Sequence, residues 1–251
     1  MFAYGDDGAM PLAPGDDGGG GDTDRVNGVV MWDFDGTLAI RPGLWSACLL
    51  EVLDEHIPGH GGSIERLRAD LKGGFPWHRA ADAHPELSEP DAWWASLDPL
   101  LRRALSGAGV DERRHPELAR AVRTRFIDGT RTWVVFEDTR PALELTAAAG
   151  WRNTILSNHV PELSQLVMTL GLDDLIEHVF TSASIGYDKP HPEAFRHALV
   201  HSGSPEQAWM VGDNPVADIE GAQALGIPAL LVRSEGGEPD ALAAARIIAA
   251  D

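Results

Sequence analysis

The sequence predicts an α/β fold, a doubly wound parallel sheet with an all-α insert after its first strand. Three observations lead there. Nearly continuous apolar runs of four to six residues recur along the chain, as parallel strands covered on both faces require. Helical patterns lie between the later runs, and strand alternating with helix is the mark of a doubly wound sheet. Between the first and second runs, a stretch of about a hundred residues reads as helices, with no convincing strand.

Taken in order, residues 1–25 repeat Gly and Asp (Gly5-Asp6-Asp7-Gly8, then Gly15-Asp16-Asp17-Gly18). Such a segment buries too little apolar surface to offset its ordering entropy, so a disordered tail is expected, with folding beginning near Val26. Val29, Val30, Met31 and Trp32 form the first strand. Helices are expected over 44–56, 64–71, 91–105 and 116–127. Thr154, Ile155 and Leu156 form the second strand. The helix carrying Leu163, Leu166, Val167 and Leu170 follows and stops at Gly171. His178 to Thr181 form the third strand, followed by a helix bearing Phe195, Ala198 and Leu199. Trp209-Met210-Val211 and Ala229 to Val232 complete the sheet. The expected organisation is a Rossmann-like catalytic core, residues 26–40 and 139–251, with a helical cap at 41–138.

Five segments pair Pro with a following acid: His84-Pro85-Glu86, His115-Pro116-Glu117, Val160-Pro161-Glu162, His191-Pro192-Glu193 and Ser204-Pro205-Glu206. Proline lacks the N–H that a first helical turn leaves unpaired, and the acid complements the helix dipole. All five are read as helix starts, and their histidines as entry residues rather than metal ligands.

Composition narrows the function. Lys and Arg number 20 against 39 Asp and Glu, a formal charge of -19. That balance repels phosphate backbones and anionic lipid, so neither nucleic acid nor a membrane surface is expected as partner. An anionic substrate needs a locally positive pocket or a metal ion. The single cysteine, Cys48, forms no intrachain disulfide or thiolate cage, and its spacing from Leu44 and Val52 makes it a buried small hydrophobe. No apolar run approaches the ~20 residues of a membrane span, and acidic Asp6 and Asp7 stand where a secretory signal is basic. A cytoplasmic protein is expected, with monomer and homodimer both open.

The first strand runs into Asp33-Phe34-Asp35-Gly36-Thr37. Two carboxylates at i and i+2 of an extended chain share a face, about 6–7 Å apart, at the strand's C-terminal end. Ligands of open α/β sheets bind at that edge. Gly36 permits a sharp turn and a close backbone approach to an anion. Asp and Gly also form ordinary turns, but directly after Val-Val-Met-Trp that reading weakens. The second strand ends at Ser157-Asn158, the third is followed by Lys189, and the fourth ends at Asp213, with Asp218 beyond. A parallel sheet gathers all of these at one edge. Four carboxylates there repel unless a cation joins them, and an incomplete oxygen cage suits Mg2+. Lys189 adds a fixed positive charge.

These four segments, in this order and spacing, resemble the four motifs of the haloacid dehalogenase superfamily over residues 26–232, in its phosphatase-rich branch with a helical cap. The resemblance implies a Mg2+-dependent phosphatase acting on a small phosphorylated metabolite. Asp33 is then the nucleophile that forms a phospho-aspartate, and Asp35 the general acid and base. Gly36, Thr37, Ser157, Asn158 and Lys189 hold the phosphoryl oxygens, with Ser157 and Lys189 taking part in catalysis. Mg2+ is bound by Asp33, Asp35 through its backbone carbonyl, and Asp213, with Asp218 behind them. The acid at Asp35 disfavours carbon–halogen cleavage, because a departing halide needs no proton. A phosphotransferase such as a sugar phosphomutase uses the same set and stays an alternative, as does a non-catalytic phospho-ligand-binding protein.

Within the cap, Trp77, His78 and Arg79 sit in a breaker-rich turn and are candidates for substrate contact, against the plainer reading of a packed loop. Trp93 and Trp94 face two sides of one helix. Arg102, Arg103, Arg113, Arg114, Arg120, Arg123 and Arg125 make the cap basic, which fits solvated helix faces better than a funnel for anions. His159 either reaches the site or opens the following helix.

Overall fold

The computed structural model describes residues 27–233 and 239–251; the Gly/Asp-rich segment 1–25 lies outside them. The strands are β1 (Gly28–Trp32), β2 (Ala39–Ile40), β3 (Val134–Val135), β4 (Trp151–Ser157), β5 (His178–Thr181), β6 (Ala208–Gly212) and β7 (Ala229–Leu231). Five of them form one parallel sheet in the order β5-β4-β1-β6-β7. The chain builds outward from β1 on one side and then returns to build on the other. The C-terminal end of β1 is therefore the point where strand order reverses, which opens a crevice between the loops.

The insert holds α1 (Leu44–His56), α2 (Ile64–Asp70), α3 (Pro90–Ser96), α4 (Asp98–Gly107), α5 (His115–Ile127) and α6 (Gly129–Thr132). The helix expected over 91–105 is two helices, broken at Leu97. Pro99 stands in the first turn of α4, where its missing N–H and ring prevent the preceding helix from running through. A strand also appears where none is expected. Val134 and Val135 pair antiparallel with Ile40 and Ala39, so the chain leaves and re-enters the core side by side.

The core helices are α7 (Thr139–Ala148), α8 (Leu163–Thr169), α9 (Ser182–Ile185), α10 (Pro192–His201), α11 (Gly221–Gln223) and α12 (Ala241–Ile248). Alternation along β1 divides them between two faces. Val30 and Trp32 pack with Leu143, Leu163 and Ala244, while Met31 packs with Phe195, Ala198 and Ala222 on the opposite side. The first cluster continues without a break through Phe34, Cys48, Trp93 and Phe126, so the insert shares one apolar core with the sheet. Within it Trp32 Nε1 donates to Asn153 Oδ1 at 3.0 Å and Asn153 Nδ2 donates to the Leu143 carbonyl at 2.9 Å, while the buried Trp93 Nε1 has no partner. No helix of the described residues is long and apolar enough to cross a membrane.

Of the five Pro-acid segments, Ser204-Pro205-Glu206 starts no helix. It leads into β6, where the Gln207 carbonyl already accepts from the N–H of Val29 and so commits the chain to the sheet. His191 caps α10 by accepting from Glu193 N–H at 3.2 Å, and His115 opens α5 with Nε2 3.2 Å from the Val110 carbonyl.

Candidate active site

As β1 ends, Asp33 N–H donates to the Val211 carbonyl at 2.8 Å, extending the strand ladder by one residue. The chain then turns sharply, with Leu38 and Ala39 N–H groups both donating to the Phe34 carbonyl. Gly36 makes this possible. Its φ is +87°, and a Cβ there would lie 2.4 Å from Asp213 Oδ2. Asp213, at the end of β6, is therefore seated directly against this turn, and Thr37 Oγ1 approaches its Oδ1 at 3.4 Å.

Lys189 is the hub. Its Nζ donates to Asp33 Oδ1 at 2.9 Å, Asp218 Oδ1 at 2.6 Å and the Leu156 carbonyl at 2.6 Å, filling its three donor positions. Asn158, past the end of β4, fixes the lysine backbone from both sides. Its Oδ1 accepts from Lys189 N–H at 2.8 Å and its Nδ2 donates to the Lys189 carbonyl at 2.9 Å. The other Asp218 oxygen accepts from Asn214 N–H at 2.9 Å, so both of its oxygens are engaged. Asn214 in turn caps the π-helical turn Pro215–Glu220 that carries Asp218.

Asp33, Asp35, Gly36, Ser157, Asn158, Lys189, Asp213 and Asp218 all line one cleft of about 910 Å³. Thr37 is buried behind it and supports Asp213 instead. Burial, then the charges of Asp33 and Asp213, push the Asp35 carboxyl up to about 8, so it keeps its proton at neutral pH. Burial and neighbouring carboxylates also raise Asp213 and Asp218. Burial works against the Lys189 charge, but Asp218 and Asp33 together outweigh it and hold the ammonium above its ordinary range.

Asp33, Asp213 and Asp218 each offer an oxygen within 4.8 Å of the others. This set is all oxygen, crowded and short of positive charge, which fits a hard divalent cation such as Mg2+. Asp33 and the Asp213 carboxylate beside Gly36 suit ligation, whereas Asp218 is already committed to Lys189 and Asn214.

The turn singled out in the insert divides. Trp77, half-buried, and His78, exposed, line the cleft. Arg79 does not; it lies 3.9 Å from Asp82 beside a separate cavity of about 360 Å³. Trp93 and Trp94 are both buried, with Trp94 Nε1 donating to Glu162. His159 also lines the cleft but is enclosed by Phe34, Phe126 and Trp133, and neither ring nitrogen has a partner. Most cap arginines are paired: Arg102 with Asp98, Arg113 with Asp111, Arg114 with Glu117, Arg123 with Asp91 and Glu162, and Arg125 with Glu51 and Glu55. Among the lining residues that the sequence reading passes over are Trp45, Arg68 and Lys72. Arg68 near the end of α2 and Lys72 just past it, two cations four residues apart in an acidic chain, are the signal that could have drawn them in.

A profile of haloacid dehalogenase-like hydrolases matches residues 28–226. A phosphoserine phosphatase of Thermus thermophilus is 33% identical over 172 residues, 63% of this chain and 68% of that protein. A glyceraldehyde 3-phosphate phosphatase of Pyrococcus furiosus is 45% identical over 62 residues, 24% of this chain and 26% of that relative's length. A crystal structure of a 2-haloacid dehalogenase from Pseudomonas syringae pv. Tomato superposes with a TM-score of 0.58 at 27% identity, over 82% of this chain and 86% of that one.

Proposed function

The chain belongs to the haloacid dehalogenase-like hydrolases, and we propose that it is a Mg2+-dependent phosphatase that releases phosphate from a small phosphorylated metabolite through a phospho-aspartate at Asp33. The observation that carries this reading is the contrast between two carboxyl groups two residues apart. Asp33 is bonded to the Lys189 ammonium at 2.9 Å, while Asp35 keeps a proton until about pH 8. Carboxyls set to different tasks by their surroundings mark a nucleophile and an acid.

The steps balance on these residues. Lys189 engages Asp33 Oδ1 and leaves Oδ2 to attack phosphorus. As the bond from phosphorus to the leaving oxygen breaks, Asp35 gives its proton to that oxygen and an alcohol departs. Asp35, now a carboxylate, takes a proton from water, the water oxygen attacks phosphorus, and the bond to Asp33 breaks to free inorganic phosphate. The Ser157 hydroxyl and the backbone N–H groups of Asp35 and Asn158 suit the transferring oxygens, and Lys189 offsets their charge. Asp33, Asp213 and the Asp35 carbonyl would hold the Mg2+, whose charge, when bound, neutralises the phosphoryl group and lets carboxylates approach it.

A carbon–halogen cleavage reading gains nothing from Asp35, whose proton a departing halide does not need. Phosphate release across a panel of phosphorylated metabolites, with Mg2+ or with chelator, for wild type and Asp33→Asn, tests the proposal. Metal-dependent release lost in the variant is expected; absence of release from every compound by folded, Mg2+-supplied protein overturns it.

A further inference from the structure

The cleft is far larger than a phosphoryl group needs. At about 910 Å³ it falls at the upper end of sites that enclose whole drug-sized ligands. Two features of its insert-facing wall describe the rest of such a ligand.

The first is a rigid aromatic surface. Trp45 and Trp77 line the cleft, are half-buried, and lie 6.4 Å apart between ring centroids. Each is backed by a fully packed ring. Trp45 stacks on Phe126 at 4.0 Å, and Trp77 stacks on Phe75 at 4.7 Å with planes 6° apart. Half-buried indoles held this way line the cleft with little rotamer freedom left to lose, so they favour a flat or apolar body.

The second feature is charge. In a chain of net charge -19, uncompensated cations are scarce. Arg102, Arg113, Arg114, Arg123 and Arg125 are tied to carboxylates and Arg103 to the Asp70 and Gly73 carbonyls, while Arg120 lies away from the cleft. Arg68 and Lys72 differ. They line the cleft, are exposed, and make no ion pair or side-chain hydrogen bond among the described residues; Glu65 lies one turn from Arg68. Lys189, also in the cleft, is already tied to Asp33 and Asp218. Two cations on the same cleft wall, in an otherwise acidic molecule, focus a field that attracts a further anion.

Building on the phosphatase reading, we propose that the substrate is a phosphomonoester whose leaving alcohol carries a planar ring and a second anionic group, the ring lying against Trp45 and Trp77 and the anion meeting Arg68 and Lys72. The second anion sets affinity and selectivity, and the chemistry at phosphorus is unchanged by it.

Phenyl phosphate, 4-carboxyphenyl phosphate and ethyl phosphate separate the parts of this proposal. With Mg2+, KM is expected to fall from the ethyl to the phenyl ester, and by about a further tenfold for the carboxyphenyl ester, as one ion pair near a surface allows. The ratio of KM values for the two aryl esters should collapse toward one in Arg68→Met/Lys72→Met and survive in Lys72→Arg. It should also shrink as salt rises. Trp77→Ala should raise KM for both aryl esters together. Equal KM values for the two aryl esters in wild type, or a preference retained in the double variant, overturns the proposal. Tryptophan fluorescence titration of Mg2+-loaded Asp33→Asn with the same esters reads binding without turnover. If wild type releases no phosphate from any ester, the phosphatase reading fails; the second-anion subsite then stands or falls on whether 4-carboxyphenyl phosphate binds more tightly than phenyl phosphate.

Discussion

His84 and Asp188 form a buried pair, Nε2 donating to Oδ2 at 2.8 Å, that ties the helical insert to the residue immediately before Lys189. The surrounding backbone is built for the approach. His84 N–H donates to the Gly186 carbonyl at 2.8 Å, and a Cβ at Gly186, whose φ is +78°, would meet Pro85 Cα at 2.8 Å. The pair therefore couples the position of the insert to the residue that bridges Asp33 and Asp218. Replacing His84 with Leu leaves a carboxylate buried without its partner, which costs about 3 kcal/mol or roughly 5–10 °C in Tm. The bond to Asp188 raises the His84 pKa from its ordinary 6.5, with burial opposing. A raised folded value means its contribution is full below pH 6.5 and fades as pH climbs through the folded value. Thermal unfolding of wild type and His84→Leu should accordingly show a gap that is widest in mild acid and narrows in alkali; a gap independent of pH would remove the ion-pair account.

Asp35 has two jobs in the proposed cycle, and a leaving group that needs no proton separates them. With 4-nitrophenyl phosphate, Asp35→Asn should still transfer the phosphoryl group to Asp33 but stall at hydrolysis. Rapid mixing is expected to give a burst of about one nitrophenolate per protein followed by a phase some 10²–10⁴ slower than wild-type turnover. Asp33→Asn should give neither phase. A burst-free, uniformly slow trace from Asp35→Asn would assign the loss to the first step.

The strands and the residues that end them were legible in the sequence because a strand buried on both faces leaves a continuous apolar run, and the polar group that breaks the run stands at the sheet edge. Asp33, Ser157 and Asp213 follow from that logic alone. The insert was less legible. Helical periodicity tells which residues share a face, not what that face meets, so it gives no sign that Arg68 and Lys72 line the cleft, and the breaker-rich turn that points to Arg79 does not show that this residue lies against the other cavity. The pairing of His84 with Asp188 spans 104 residues and leaves no local trace beyond a helix-entry pattern. The strand Val134–Val135 is too short to be seen until its partner across the insert, Ala39–Ile40, is known.

Crowding of Asp33, Asp213 and Asp218 within 4.8 Å predicts opposite effects of one substitution in the presence and absence of metal. Burial and like charge both raise Asp213, so Asp213→Asn should raise the Tm of metal-free protein. The same change removes a ligand. Wild type with Mg2+ at a hundred times its Kd should gain about 2.7 kcal/mol, several degrees in Tm, and the variant should gain little. Calorimetry with and without chelator reads both signs; an Mg2+ shift of full size in Asp213→Asn would place the ion elsewhere.

His159 supplies an acid-sensitive element of opposite sign to His84. It is 3% exposed, ringed by Phe34, Phe126 and Trp133, and both ring nitrogens lack partners. Burial dominates and pushes its pKa down to about 4, against the weaker pull of the Val160 backbone and Asp33. Because the folded value is depressed, the unfolded chain binds the proton first. Stability is thus unaffected well above pH 6.5 and is lost as pH falls from there toward 4, by about 2 kcal/mol at pH 5. His159→Phe keeps a ring in an aromatic setting and cannot take up the proton. The difference in unfolding free energy between His159→Phe and wild type, measured with urea at pH 8 and pH 5, should move by that amount in favour of the variant. The comparison uses the change with pH rather than either absolute value, so any packing cost of the larger ring cancels. A difference that stays constant between the two pH values would mean that the imidazole is protonated in the folded state, and hence that it has a partner in the cleft.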